Sequence, residues 1–175
     1  PLRTSAIARL GASPALAAAP TPALLLDPVR LERNARRLRE RLAGFGVPLR
    51  LHAKTVKCMP ALRLAAGGLP QRATVSTLSE AEALFRHGIR DLLYAVGIAP
   101  QKLERVQELC AQGAEIKVIL DSPEAARAVA AASRSGTPVP ALIEVDSDGC
   151  RAGVAPDGPR LLETASALVA GGGTL

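Results

Sequence analysis

The sequence predicts an α/β fold of the parallel (β/α) TIM-barrel type, of which this chain holds about five βα units. Five strand-like segments, each followed by a helix-like segment, recur at spacings of roughly 20–25 residues, and such alternation indicates parallel strands joined by helical crossovers. The chain is 48% hydrophobic but has only two Phe, one Tyr and no Trp, which indicates an aliphatic core. An open doubly wound sheet is the alternative, although no glycine-rich phosphate fingerprint follows the first strand.

The length and the last residues predict that the barrel is incomplete. A closed eight-stranded barrel needs about 250 residues, whereas this chain has 175. Residues 171–175 look like a turn that feeds another strand. We therefore expect residues 1–20 to be a flexible leader and residues 21–175 to be the N-terminal part of a larger barrel. Such a piece would expose unpaired strand edges, so we expect it to aggregate or associate and to be inactive alone.

Local signals justify each element in order. A first helix is expected from Asp27-Pro28 to about Ala43, because Asp is a favoured N-cap and Pro suits the first helical position. The strand-like segments are residues 49–54, 73–76, 91–96, 115–120 and 141–146. The helices after them are expected to begin near Pro60, Ser79, Pro100, Pro123 and Pro159, with a capping box at residues 79–82 and a cap at Ser122.

Composition and charge exclude some classes of protein and leave one open. The scarcity of aromatic residues argues against a binder of single-stranded nucleic acid, and no apolar run is long enough to span a membrane. Three widely spaced cysteines suit a reducing cytoplasm rather than a disulfide framework or a zinc site. The formal charge of +6 includes six arginines between Arg30 and Arg41. They are either a nucleic-acid footprint or, as we favour, the solvated face of a helix whose apolar stripe is Leu31, Ala35, Leu38 and Leu42.

Alternation along two strands places charged side chains on the faces that point away from the expected helix layer. Arg50, His52 and Lys54 share one face of the first strand, and Glu144 and Asp146 share one face of the fifth. If both strands belong to one barrel, the two acids could offset the basic groups, because buried charge is tolerated only when it is paired. This pattern fits a structural salt-bridge network as well as a functional site.

Two residues are expected at the carboxyl ends of these strands, where active sites of parallel barrels lie. Lys54 ends the first strand, and a lysine beside other cationic groups can become nucleophilic and form a Schiff base with a carbonyl group. Arg151 follows the fifth strand in a glycine-containing loop, where its guanidinium could bind an anionic oxygen. A solvated strand-end lysine and a surface arginine are the alternatives for each.

Several motifs, in order, resemble one known family over about residues 21–175. They are Thr21-Pro22-Ala23, the Leu51–Lys57 run LHAKTVK, the Val75–Glu82 run VSTLSEAE, residues 89–96, and Glu144-Val145-Asp146 followed by Arg151-Ala152-Gly153-Val154. The sequence resembles the D-threonine aldolase and D-serine dehydratase family, which belongs to the alanine-racemase-like, type III pyridoxal phosphate enzymes. The resemblance implies a TIM barrel followed by a C-terminal β domain.

The resemblance also implies roles for three residues. Lys54 matches the lysine that forms the internal aldimine with pyridoxal phosphate, Arg151 matches the arginine that binds the cofactor's phenolic oxygen, and His52 matches a histidine that orients the lysine. It implies a lyase that acts on a small D-β-hydroxy amino acid, with a divalent metal whose ligands lie outside this chain. For the full-length protein it implies a cytoplasmic homodimer that binds neither nucleic acid nor membrane.

Departures from the family pattern keep other functions open. Val56 stands where many relatives carry a second histidine, so the subfamily is not decided, and an amino-acid racemase or a non-catalytic pyridoxal phosphate carrier remains an alternative. His52 and His87 are the only histidines, and no histidine-containing metal motif occurs, so no metal ligand is assigned in this chain. His87 is expected to interact with the carboxyl end of its helix.

Overall fold

The fold is an open sheet of five parallel strands with helices between them, in a computed structural model that describes Pro14 and residues 18–175. The strands are β1 (Leu51–His52), β2 (Arg72–Val75), β3 (Asp91–Gly97), β4 (Glu115–Leu120) and β5 (Ala141–Ile143). The helices are α1 (Pro28–Gly44), α2 (Met59–Ala66), α3 (Leu78–Arg86), α4 (Leu103–Ala111), α5 (Pro123–Ser135) and α6 (Pro159–Ala170). Two 3₁₀ turns span Ala53–Thr55 and Pro100–Lys102.

The sheet topology confirms the predicted fold class. Each strand pairs in parallel with the next one along the chain, in the order β1-β2-β3-β4-β5, and a helix connects every pair. Sequential parallel strands with helical crossovers are the repeating unit of a TIM barrel, and here the sheet does not close. After α6, the carbonyl of Thr174 accepts a hydrogen bond from the Ala141 amide, so the chain returns alongside β5. The predicted leader, residues 1–20, lies mostly outside the described residues.

The two faces of the sheet differ in character. Side chains that point toward the helices form an aliphatic core, in which Ala73, Val75, Leu92, Val118 and Leu120 are fully buried. The register pairs His52 with Thr74 and Arg72 with Asp91, so polar residues share the opposite face. This polar face corresponds to the inside of a barrel, where branched apolar residues are the usual filling.

Strands β1 and β5 are shorter than predicted, for reasons that involve side chains and loops. The expected strand over residues 49–54 ends at His52, because the imidazole of His52 accepts a hydrogen bond from the Lys54 amide and starts a 3₁₀ turn. The expected strand over residues 141–146 ends at Ile143. Beyond it, Val145 pairs instead with Val154, across the loop that these two residues close.

Two expectations about the helices are wrong in detail. The N-cap of α3 is Thr77 rather than Ser79, since the Thr77 hydroxyl accepts a hydrogen bond from the Glu80 amide. No residue of α1 is fully buried, and Leu38, at 45% exposed, is the one member of the predicted apolar stripe that lies open to solvent. Arg39 occupies the inner side of α1 instead, where its guanidinium donates to the carbonyls of Leu64 and Ala65 at the end of α2. That contact satisfies backbone carbonyls that the helix itself leaves free.

No helix among the described residues is long and apolar enough to cross a membrane.

Candidate active site

Lys54 lies at the carboxyl edge of the sheet, directly after β1, as the sequence predicts. It is the middle residue of the Ala53–Thr55 3₁₀ turn, and its side chain is exposed. The preceding Ala53 is only 2% exposed, and its carbonyl accepts hydrogen bonds from the amides of Val56 and Lys57. The turn is therefore anchored in the core on one side while it presents Lys54 to the outside.

The ammonium group of Lys54 has no partner among the described residues, and this separates it from the other lysines. Lys57 forms an ion pair with Glu80 (Nζ to Oε1, 3.6 Å). Lys102 donates to the hydroxyl of Tyr94 at 2.8 Å, and Lys117 lies 3.4 Å from a carboxylate oxygen of Asp91. An amine held in an ion pair or a hydrogen bond must break that contact before it can attack a carbonyl group. Of the four lysines, Lys54 is the one whose amine is uncommitted.

His52 contacts the backbone of Lys54 through one ring nitrogen and a serine through the other. Nδ1 accepts a hydrogen bond from the Lys54 amide at 3.3 Å, and Nε2 lies 3.5 Å from the hydroxyl oxygen of Ser76. With Nδ1 as an acceptor, the neutral ring carries its proton on Nε2. Desolvation and the nearby charge of Lys54 lower the pKa of His52 below its ordinary value, although the carboxylate of Glu80 opposes them. The neutral ring fits the positioning role that the resemblance implies.

Glu80 holds the first residue after β2. That residue is Ser76, whose hydroxyl faces His52. One oxygen of Glu80 accepts the Ser76 amide at 2.8 Å, and the other pairs with Lys57, so this carboxylate links α3 to the turn that carries Lys54. The side chain of Glu80 is 13% exposed. Neither Ser76 nor this use of Glu80 was expected from the sequence, where residues 79–82 predict only a helix cap.

Arg151 follows β5 in an exposed loop, also at the carboxyl edge. Its amide donates to the carboxylate of Asp146 at 3.2 Å. Desolvation raises the pKa of Asp146, but hydrogen bonds led by that from the Arg151 amide outweigh it and leave this pKa below its ordinary value. The guanidinium itself has no hydrogen bond or ion pair to the described residues. Asp146 therefore shapes the loop that displays Arg151.

The structure brings His52 and Lys54 together but leaves Arg151 on the other edge of the sheet. Neighbouring strands lie about 4.8 Å apart, so the four intervals from β1 to β5 amount to roughly 19 Å along the sheet. Curvature shortens the direct path across the mouth of a barrel. One small ligand could contact both side chains only if their ends converge across that mouth.

The expected pairing of the basic residues with Glu144 and Asp146 is wrong. The guanidinium of Arg50 instead holds the carboxylate of Asp91, at 2.7 and 2.8 Å, and the charged groups of Lys117 and Arg72 approach the same carboxylate at 3.4 and 3.9 Å. All four belong to the amino-terminal half of the sheet's polar face, away from Lys54. Sequence reasoning missed Asp91. The available signal was an acidic residue at the start of one predicted strand, with the basic residues Arg72 and Lys117 near the starts of the strands on either side.

The structure offers no metal centre within the part it describes. No group of three or more His, Cys, Asp or Glu side chains there is arranged to hold a metal ion.

His87 is the C-cap residue of α3 and its side chain is exposed.

Comparison with known proteins decides the family. Residues 26–171 match the model of the alanine racemase N-terminal domain. The chain belongs to this family. Within it, the chain is 44% identical over 156 residues to D-threo-3-hydroxyaspartate dehydratase from Delftia sp. (strain HT23), a match that covers 87% of this chain and 40% of the relative. It is also 34% identical over 137 residues to 3-hydroxy-D-aspartate aldolase from Paracoccus denitrificans, covering 77% and 35%.

Solved structures of the alanine racemase N-terminal family agree with this placement. The D-threo-3-hydroxyaspartate dehydratase of Delftia sp. HT23 superposes with a TM-score of 0.84 at 41% identity, over 90% of this chain and 42% of that chain. The D-threonine aldolase of Filomicrobium marinum superposes with a TM-score of 0.71 at 31% identity, over 86% and 41%. The resemblance to D-threonine aldolase and D-serine dehydratase is thus confirmed. This chain spans about 40% of the length of the curated relative from Delftia.

Proposed function

We propose that the protein containing this chain is a pyridoxal phosphate-dependent lyase that acts on D-β-hydroxy amino acids. Lys54 is the covalent attachment point for the cofactor, His52 orients it, and Arg151 binds the cofactor's phenolic oxygen. The observation that carries the proposal is the uncommitted amine of Lys54 at the carboxyl edge of the sheet, among lysines that are otherwise paired. The names of two relatives, a dehydratase and an aldolase of 3-hydroxyaspartate, support the substrate class.

The residues present fit this cofactor. A carbonyl cofactor needs a free primary amine held at a fixed place, and Lys54 supplies one on a turn anchored by the buried Ala53. A phenolic oxygen is anionic when bound, and the unpaired guanidinium of Arg151 is a suitable donor to it. When bound, pyridoxal phosphate supplies an electron sink for negative charge at the substrate's α-carbon.

This chain's residues then have distinct tasks. The neutral imidazole of His52 holds the Lys54 backbone through Nδ1 and adds no positive charge beside the amine. Glu80 keeps Lys57 in an ion pair, so the neighbouring lysine does not compete for the carbonyl group. Asp146 orders the loop of Arg151 through the Arg151 amide. The phosphate group and the substrate's carboxylate require further donors, which we place outside this chain.

A lyase is favoured over a racemase by the identities of the relatives. Dehydratase and aldolase relatives reach 44% and 34% identity, whereas the solved alanine racemase of Bacillus anthracis is 19% identical, which shows the fold alone. Both lyase reactions begin with bond breaking at the α-carbon: an aldolase cleaves the α–β carbon bond, and a dehydratase removes the α-proton and expels the β-hydroxyl. A divalent metal bound to the β-hydroxyl suits either course, and we place its ligands outside this chain.

The free thiols support a proposal for the cellular context. Cys58, Cys110 and Cys150 are all unpaired, which suits a reducing compartment, so we propose a cytoplasmic enzyme. We further propose a homodimer for the complete protein, to be checked by its mass in solution.

The deciding experiment labels the lysine chemically in the complete gene product. The protein is incubated with pyridoxal phosphate, the visible band is recorded, borohydride is added, and the modified peptide is mapped. We expect the label on Lys54, its loss in Lys54→Ala, and its retention in the control Lys57→Ala. No band, or a label on another lysine, would remove the assignment.

The reaction type is then read from products. With D-threonine, an aldolase releases glycine and acetaldehyde, whereas with D-serine a dehydratase releases pyruvate and ammonia; 3-hydroxy-D-aspartate is tested in the same way. Interconversion of enantiomers without these products would identify a racemase, and a labelled lysine without any turnover would identify a cofactor carrier. Steeply salt-dependent binding of a polynucleotide would instead support a nucleic-acid function for Arg30–Arg41.

A further inference from the structure

Strand β1, which leads directly into Lys54, has little backbone pairing to hold it. It is two residues long and is registered on β2 by only two partner positions, Leu51 with Ala73 and His52 with Thr74. A strand of this length contributes few ladder hydrogen bonds. The position of Lys54 must therefore depend on other contacts.

Arg50, the residue before β1, supplies four such contacts from a single guanidinium. Nη2 donates to both carboxylate oxygens of Asp91, at 2.8 and 2.7 Å, and Nη1 donates to the backbone carbonyls of Ala73 and Asp91, each at 3.2 Å. Ala73 belongs to β2 and Asp91 begins β3, so the side chain of Arg50 reaches across one strand to the next. A planar guanidinium bound at both ends fixes direction as well as distance.

Asp91 is held in place independently of Arg50. Lys117 on β4 approaches one of its oxygens at 3.4 Å, and Arg72 on β2 approaches the other at 3.9 Å. The Arg50 and Asp91 side chains are 24% and 22% exposed, so solvent screens this pair only in part. Removal of Arg50 leaves Asp91 with two cations nearby, and the loss should not bury an unpaired charge.

We propose that Arg50, through Asp91, is a positioning residue that fixes β1 against β2 and β3 and thereby sets the place of Lys54. Lys117 and Arg72 share the same carboxylate but lie on strands that do not carry Lys54. They stabilise the same cluster without positioning the lysine. The catalytic consequence rests on the proposed function, whereas the structural part does not.

The first test needs no cofactor. Hydrogen exchange is measured by mass spectrometry on the complete protein, in Arg50→Gln and in the matched controls Arg72→Gln and Lys117→Gln. Each variant removes one positive charge from the surroundings of Asp91. In Arg50→Gln we expect the peptide covering residues 51–57 to exchange about tenfold faster or more, with the β3 peptide unchanged, because local opening governs exchange. Equal acceleration in the controls, or none in Arg50→Gln, would overturn the proposal.

The second test measures how well Lys54 binds pyridoxal phosphate. Misplacement of a reacting group by about 1 Å costs roughly 100-fold in reactivity. For Arg50→Gln we therefore expect at least about tenfold weaker pyridoxal phosphate binding, measured from the visible band, and a shifted pH midpoint of that band, at a fraction folded equal to that of the controls. Arg50→Lys keeps the charge but not the two-pronged geometry, and should restore little.

The outcomes separate the two hypotheses. If no variant and not even the unaltered protein shows the band, the proposed function fails while hydrogen exchange still tests the role of Arg50. If the band forms and all the variants bind pyridoxal phosphate equally, the positioning role of Arg50 is refuted and Lys54 keeps its assignment.

Discussion

Replacement of Gly153 by alanine should destabilise the loop that carries Arg151. Gly153 has φ +121°, and a Cβ there would lie 2.7 Å from the amide nitrogen of Asp146 and 2.9 Å from the carbonyl carbon of Val145. Both are backbone atoms, which cannot rotate away as a side chain would. The clash falls where the Asp146 amide donates to Val154 and the Val154 amide donates to Glu144, each at 2.9 Å.

The loss of stability expected for Gly153→Ala has two components. A non-glycine residue in such a backbone region costs about 1–3 kcal/mol, and forcing an extra carbon into packed atoms costs roughly 1–3 kcal/mol more. Gly149 is a matched control in the same loop, because its φ is +70° but nothing lies within 4 Å of its added Cβ. Gly149→Ala should therefore cost only about 1–2 kcal/mol, the penalty of a left-handed conformation. The two variants differ chiefly in the backbone contact, so the contact should dominate the difference between them.

Loops in general can open without unfolding of the whole protein, and a change confined to such opening does not register in global denaturation. The sharper assay is hydrogen exchange of a peptide that contains Val154, together with pyridoxal phosphate affinity. For Gly153→Ala we expect faster exchange and weaker binding than for Gly149→Ala. Equal exchange rates and equal affinities in the two variants would show that the close contact between Gly153 and the backbone of Asp146 does not hold the loop, and would refute this prediction.

Two further predictions concern titration and thiol reactivity. Because Lys54 is one cause of the lowered pKa of His52, Lys54→Met should raise that pKa in an NMR titration of the imidazole, and an unchanged midpoint would contradict the contact. The pKa of His52 in the folded state lies below the ordinary 6.5, so the unfolded state binds a proton more readily. The free energy of unfolding should therefore decrease as the pH falls below that value, which denaturation at pH 7.5 and at pH 5.5 checks. Burial raises the pKa of Cys110 despite a backbone hydrogen bond that lowers it, so a thiol reagent should modify Cys58 and Cys150 first.

Local signals in the sequence were sufficient for most of the fold. Asp27-Pro28 predicts the start of α1, and the strand predicted over residues 115–120 is β4 itself, because each depends on neighbours in the chain. The end of β1 could not be predicted in this way. Alternation extended the strand to residue 54, but one hydrogen bond from the Lys54 amide to the His52 imidazole ends it at His52.

The partner of Arg50 shows a second limit of sequence reasoning. Opposite charge at the correct end of a strand is a weak criterion, since Glu144, Asp146 and Asp91 all satisfied part of it. The choice depends on register across the sheet, and the selected carboxylate is 41 residues from Arg50. The carboxyl-edge positions of Lys54 and Arg151 were easier to predict, because the segment that follows a parallel strand begins at that edge.

The contrast between satisfied and uncommitted polar groups supports the function proposed for this edge. In the described part of the chain, no buried side-chain nitrogen or oxygen lacks a hydrogen-bond partner. At the opposite end of the polar face, one carboxylate engages cations from β2, from β4 and from the residue before β1, which is the behaviour of a group that stabilises a fold. Lys54 and Arg151 have their backbones held by His52 and Asp146 while their charged ends remain free. This arrangement supports the proposal that both charged ends bind one ligand, because a primary amine together with a guanidinium suits an aldehyde that also carries an anionic oxygen.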